Sequence, residues 1–257
     1  MIDLTTLADL TPGICSVTLR SQGIDDVVRI SSDAGLAGIE WGTDVHVSDS
    51  ESAAHAKEAT VAAGLSVLSL GSYYRCGAFE DFGRALDLAT GLGAPRIRVW
   101  AGELGSAEAN EDHWDAVVQD TRRIADLAAA RGIAIAFEYH GNTLTDSPAT
   151  TLDLLNRVNH PNVGTYWQPA VGLSDKQALE SLHEVLPHLA GVHCFSWGPE
   201  AERFPLRNRK LLWQTVTDVL RGNGKDMDIM LEFVEDDLPE NVLNDAAFLH
   251  TITLGED

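Results

Sequence analysis

Four residues of kinds that bind metal ions each close a short apolar run: Glu138 in IAIAFEYH, Gln168 in VGTYWQP, His193 in GVHCFSW and Glu232 in DIMLEFV. Two carboxylates, one amide oxygen and one imidazole form an oxygen-rich donor set with a single nitrogen. Such a set suits a divalent cation, Mn²⁺ or Mg²⁺ first, with Co²⁺ or Zn²⁺ also within range. Without a cation, two carboxylates crowded into one mouth would repel each other. With one, and with coordination positions left open, the carbonyl and neighbouring hydroxyl of a hydroxy-ketone could bind, and the charge formed on deprotonating the adjacent C–H would be stabilised.

These residues need elements that bring them together. Apolar runs that read as strands cover 13–19, 37–42, 65–72, 96–102, 133–140, 162–168, 190–197 and 228–234. Between them, apolar residues recur at helical spacing: Ile24, Val27 and Val28; Phe79, Phe82, Leu86 and Ala89; Trp114, Val117, Val118, Thr121, Ile124, Ala125 and Ala128; Val242, Leu243, Ala246 and Leu249. Ser147 before Pro148 reads as a helix cap, and Ser174 with Gln177 as a capping box. Gly35, Gly64, Gly93 and Gly132 stand where helices must stop before strands. Eight βα units without a linker predict one (β/α)8 TIM barrel over residues 1–257, ahead of a doubly wound sheet, whose glycine fingerprint is absent.

Alternation along each strand turns Ala134, Ala136, Glu138 and His140 inward, then Gly164, Tyr166 and Gln168, then Gly191, His193 and Phe195, then Met230 and Glu232. It turns Ile229, Leu231 and Phe233 toward the helices. All four donors fall late in their strands, the end at which such barrels carry their catalytic groups.

Composition narrows the field. A formal charge of −21 repels phosphate backbones and anionic membranes, so neither nucleic acid nor membrane is expected as a partner. The opening MIDLTTLADL has no leader pattern, and no stretch approaches the roughly 18 apolar residues of a membrane helix. Cys15, Cys76 and Cys194 lack CxxC spacing and read as reduced thiols, which suggests a cytoplasmic address.

The order Glu138, Gln168, His193, Glu232 on strands five to eight resembles the sugar phosphate isomerase/epimerase family, the xylose-isomerase-like barrels that include ketose 3-epimerases, hydroxypyruvate isomerase and inosose dehydratase. The resemblance spans essentially the whole chain. It implies a divalent-metal-dependent isomerase or epimerase acting on a ketose or keto-polyol through an enediolate, with Glu138 and Glu232 as the catalytic pair and all four residues as metal ligands. It also implies a downstream arginine in contact with substrate, which maps onto Arg203. The family usually has Asp at the second ligand position, where Gln168 stands, and His three residues later, where Val171 stands. The amide still coordinates, but one negative charge is lost, so the cation is held less tightly or must be a stronger Lewis acid.

Further residues are expected around the pocket. His140 shares the inward face of Glu138 and either contacts substrate or orients that glutamate. Glu40 and Arg98 are inward on strands two and four, as a buried ion pair or as substrate contacts. His46, in the loop after strand two, could reach the mouth, although an exposed loop histidine is the simpler reading. Tyr73, Tyr74, Trp100, Tyr166, Trp167 and Trp197 gather at the same end, and aromatic faces suit a small sugar or polyol. By parity Trp167 packs against helices instead. Arg75 and Arg203 could anchor an anionic group, but no glycine-rich phosphate loop follows the last strands.

Two other functions compete. The same site could run elimination on a keto-sugar or keto-inositol, as a dehydratase or lyase. A barrel with a degraded metal site could instead bind a sugar or a partner chain without turnover. Under either reading the chain could form a homo-oligomer. Endonuclease-IV-like chemistry is disfavoured by the acidic charge and by Ser69 and Val171 at ligand positions.

Overall fold

The computed structural model describes residues 7–255, so the first six residues of MIDLTTLADL lie outside the described chain. The strands are β1 (Leu10–Cys15), β2 (Gly38–Gly42), β3 (Ser66–Arg75), β4 (Arg96–Trp100), β5 (Ala134–Phe137), β6 (Val163–Trp167), β7 (Leu189–Cys194), a short hairpin of β8 (Ser196–Trp197) with β9 (Arg203–Phe204), and β10 (Met227–Leu231). Eight of them close into one parallel barrel in the order β1-β10-β7-β6-β5-β4-β3-β2. Around it run α1 (Ile24–Asp33), α2 (Ser50–Ala62), α3 (Gly83–Leu92), α4 (Glu111–Ala129), α5 (Pro148–Val158), α6 (Asp175–Val185), α7 (Lys210–Gly222) and α8 (Pro239–Leu254). The chain is thus a (β/α)8 barrel. Among the described residues no helix is long and apolar enough to cross a membrane.

Local chemistry sets the helix ends. Ser147 accepts from the Thr150 N–H with Pro148 in the first turn, and Ser174 and Gln177 cap each other's backbone. Asp49 and Ser52 form a second box at α2 that the sequence reading did not pick out. Gly93 ends α3 at φ 75°, a left-handed conformation that costs glycine nothing, and Gly35, Gly64 and Gly132 share it.

The core has two compartments. The larger lies between strands and helices, where Trp167 and Trp213 meet edge-on at 6.2 Å and their indole N–H groups donate to Ser181 Oγ and the Phe195 carbonyl. A pair of this kind adds about 1 kcal/mol to the area it buries. The smaller fills the barrel itself with Cys15, Val17, Leu68, Ala136, Tyr166 and Met230. Glycine is required there for space: a Cβ on Gly191 would lie 2.9 Å from the Tyr166 ring, and one on Gly38 2.7 Å from Leu68.

Several expectations need correction. The first strand stops at Cys15, and Ser16–Leu19 turn into a 3₁₀ helix that brings Val17 over the barrel mouth. The seventh run is not one strand, because β7 ends at Cys194 and Ser196–Trp197 pair antiparallel with Arg203–Phe204. Phe79 lies outside α3, half exposed and at φ 53°, so the buried face is carried by Phe82 at the helix cap and by Leu86, Leu88, Ala89 and Leu92.

Asp245 of α8 accepts from the Leu206 N–H at 2.9 Å and ties α8 to the segment after the hairpin. Burial pushes its carboxyl up to about 6, although that hydrogen bond pulls the other way. An acid raised in the fold holds its proton between about pH 4 and 6 while the unfolded chain has lost it, so this contribution to stability falls as pH rises through that window. Asp245→Asn keeps the acceptor and is expected to raise stability by on the order of 1 kcal/mol at pH 8 while leaving it unchanged at pH 4, read by urea titration at both.

Candidate metal and acid–base site

Glu138, Gln168 and Glu232 are each the first residue beyond their strands, and His193 is the fifth of the six residues of β7. The barrel ladder holds their backbones: the Glu138 N–H donates to the Val99 carbonyl at 2.9 Å and the Glu232 N–H to the Cys194 carbonyl at 3.1 Å. The four side chains converge. His193 Nδ1 lies 3.0 Å from Gln168 Oε1 and 3.4 Å from Glu232 Oε2, and ligand atoms of Glu138, His193 and Glu232 all fall within 4.8 Å of one another. Adjacent ligands of a small octahedral cation with bonds of about 2.1 Å stand about 3 Å apart, so this donor set fits a divalent ion.

The layer beneath is charged as well. Arg98 donates through Nε to Glu40 Oε1 at 2.8 Å and through a terminal nitrogen to Glu138, so one guanidinium bridges two carboxylates. Glu40 Oε2 also accepts from Ser69 and, at 2.9 Å, from Tyr166, whose hydroxyl is held by Arg96, itself paired with Asp228. A second group of possible ligands, Cys15, Glu40 and His193, lies on the far side of the imidazole.

Burial and charge pull these groups apart. Burial raises the Glu138 carboxyl above the usual range, with Glu232 reinforcing that and Arg98 only partly opposing it. Glu232 is also fully buried, yet His193 and then Arg98 outweigh that and hold its carboxyl below the usual range. The same contest ends lower still at Glu40, where Arg98 and His193 dominate over burial. His193 is held well above an ordinary imidazole despite burial, by Cys15, Glu232 and Glu40, so an arriving cation would displace a proton from it. Burial pushes the Cys15 thiol up to about 12.

Above the donors opens a cavity of about 440 Å³. Arg98, Glu138, Gln168 and Glu232 form its polar base. One wall stacks Trp100 on His140 at 4.6 Å, with Tyr73 at 6.2 Å from Trp100; the facing wall runs Phe195, Trp197 and Phe233 at 4.5 and 5.6 Å. Among the described residues the indole N–H groups of Trp100 and Trp197 have no hydrogen-bond partner. Two aromatic walls around a carboxylate base suit a flat, hydroxylated ring.

Some expected contacts lie elsewhere. Glu40 is 1% exposed and sits under the cavity, without access to it. His46 is buried, not an exposed loop residue: its ring nitrogens meet Ser16 Oγ and the Gln22 carbonyl, each at 3.1 Å, and its edge meets Trp41. Arg203 lies 4.2 Å from the Phe233 ring centre and pairs with Asp237, behind the aromatic wall. Arg75 lies 4.3 Å over Trp100. Tyr74 leaves the mouth to bond Asp120 of α4 at 2.7 Å, and Trp167 packs outward as expected.

Phe233 and Tyr139 line the cavity although strand parity sends both outward. Alternation holds only inside a hydrogen-bonded strand, and β5 ends at Phe137 and β10 at Leu231. Phe233 then adopts φ 61°, which swings its ring back across the mouth. Asp146 also lines the cavity and gave no sequence signal.

Comparison with known proteins gives the family of this fold. The family profile described as "Xylose isomerase-like TIM barrel" matches residues 28–251. The 3-dehydroshikimate dehydratase of Bacillus anthracis is 29% identical over 163 residues, and the match spans 58% of this chain and 58% of that protein. The crystal structure of the probable 3-DHS dehydratase of B. anthracis superposes with a TM-score of 0.74 at 18% identity, over 95% of this chain and 99% of the other. That of the 3-keto-D-glucoside 4-epimerase of E. coli gives 0.77 at 17% identity, over 95% and 100%.

Proposed function

Because this chain belongs to the xylose isomerase-like TIM-barrel family, we propose that it is a divalent-cation-dependent dehydratase or lyase that eliminates a β-leaving group from a hydroxylated cyclic ketone. The observation that carries the reading is geometric: Glu138 and Glu232 both face one cavity, with ligand atoms within 4.8 Å of each other and of His193, and burial raises the first carboxyl while His193 lowers the second. Paired groups separated in this way can act as an acid and a base at one pH. The dehydratase of B. anthracis, similar over 163 residues, supports elimination ahead of simple epimerisation, and 3-dehydroshikimate is itself a β-hydroxy ketone.

Glu138, Gln168, His193 and Glu232 would hold the cation. When bound, it supplies positive charge beside the substrate oxygen on which negative charge develops. Glu232, held in its ionised form, takes the proton from the carbon next to the carbonyl. The electron pair of that C–H bond becomes the new carbon–carbon double bond, and the C–O bond at the neighbouring carbon breaks. Glu138, the carboxyl raised by burial, delivers its proton to the departing hydroxide, so water leaves and the two glutamates have exchanged protonation states. Arg98 fixes the Glu138 carboxyl and limits how far that proton affinity rises. Trp100, His140, Trp197 and Phe233 confine the ring between their faces and shield it from bulk water.

A second reading, ketose or keto-sugar epimerisation, uses the same first step and returns the proton to the opposite face. Incubation of 3-dehydroshikimate, keto-inositols, 3-ketoglucosides and free ketoses with the protein and Mn²⁺ in D₂O separates the two. Loss of one water from a β-hydroxy ketone, seen by mass spectrometry together with the ultraviolet absorbance of a more conjugated product, is the expected result. Deuterium uptake without water loss would favour epimerisation, and absence of both across the panel would reject proton abstraction altogether.

A further inference from the structure

We infer that Glu40 is a positioning residue for His193: its carboxylate receives the imidazole Nε2–H, which leaves Nδ1 bare and turned toward Glu138, Gln168 and Glu232. The inference rests on the cation reading above and adds a residue that does not touch the cavity.

His193 is wholly buried, and its Nε2 has no hydrogen-bond partner among the described residues, while its Nδ1 already faces the donor cluster. An unsatisfied buried nitrogen is uncommon and destabilising. The carboxylate oxygen facing Nε2 is Glu40 Oε1, at 3.5 Å, a gap that a small rotation of the ring closes. Glu40 is itself immobilised, by Arg98 on one oxygen and by Ser69 and Tyr166 on the other, so it can act as a fixed reference for the ring. An imidazole that ligates through one nitrogen commonly gives the other N–H to a carboxylate, which selects the tautomer and makes the ligating nitrogen more basic.

The rival role for this layer is a second cation held by Cys15, Glu40 and His193 Nε2. It would have to stand against Arg98, whose Nε lies 2.8 Å from Glu40 Oε1, and share an acceptor already bonded.

Two measurements test the inference. Glu40→Gln, verified as folded by circular dichroism, is expected to bind Mn²⁺ about 10–100-fold more weakly than the wild type by calorimetry. In Co²⁺-loaded wild-type protein, proton NMR is expected to show one hyperfine-shifted, exchangeable imidazole resonance, the Nε2–H of His193. A folded Glu40→Gln protein that binds Mn²⁺ within twofold of the wild type overturns the role of Glu40, as does absence of that resonance in Co²⁺-loaded protein or a stoichiometry of two ions per chain. Should the variant not fold, the wild-type resonance decides alone. If the wild type binds no Mn²⁺ at all, the cation reading falls first and this inference with it.

Discussion

Glu138→Gln and Glu232→Gln are each expected to lower turnover at least about a thousandfold while leaving the barrel folded, because each removes a proton-transfer group worth about 10²–10⁴ in rate and weakens one donor to the cation. The amide nearly matches the carboxylate in shape, so the cavity keeps its outline. Arg98 retains Glu40 when Glu138 is neutralised, so no buried guanidinium is stranded. The two variants should differ in kind. With Glu232→Gln the substrate C–H is expected to stop exchanging with solvent, since the ionised group is gone. With Glu138→Gln slow exchange is expected to persist without loss of water, since the base remains and the acid is missing. Single-turnover kinetics in D₂O read both, and residual turnover within tenfold of the wild type in either variant would contradict the assigned roles.

Arg98→Met is expected to cost about 3–5 kcal/mol at neutral pH, the range for leaving buried charges without their partner. Glu40 and Glu138 are 1% and 4% exposed, and Arg98 is the guanidinium that bonds both. The sign of the pH dependence follows from Glu40. In the native protein Arg98, with His193, holds that carboxyl well below its usual range against burial, so the stabilisation is present above the unfolded value near pH 4 and is lost as pH falls through the folded one. In the variant, burial acts with less opposition and both glutamates take up protons more readily. The difference between wild type and variant should therefore be largest at pH 7 and shrink below about pH 5, read by urea titration across that range. A difference that is constant with pH would mean that Arg98 contributes by packing alone.

The barrel was legible because its evidence is periodic and repeated. Every βα unit carries its own apolar run, several add a helix cap (Asp49, Ser147, Ser174) or a glycine after the helix (Gly35, Gly64, Gly93, Gly132), and eight such units over-determine the closure. The convergence of Glu138, Gln168, His193 and Glu232 was legible for the same reason, since strand parity and a late position in each strand act on all four alike. Legibility ended where the strands do. Phe233 and Tyr139 sit beyond the last ladder bond, and one positive φ at Phe233 reversed the side that alternation assigned to it. Tyr74 and His46 were pulled from the mouth by partners far away in sequence, Asp120 and Ser16, which no local window contains. The ion pair of Glu40 with Arg98 could be anticipated from inward parity, but its extension to His193 depends on strand stagger around the barrel.

The central claim is that one divalent cation is shared by side chains from four neighbouring strands. Anomalous diffraction at the manganese edge, from crystals soaked in Mn²⁺, tests it most directly. The expected result is a single peak within bonding distance of Glu138, Gln168, His193 Nδ1 and Glu232. Absence of a peak there, or a peak held instead by Cys15, Glu40 and His193 Nε2, would contradict it.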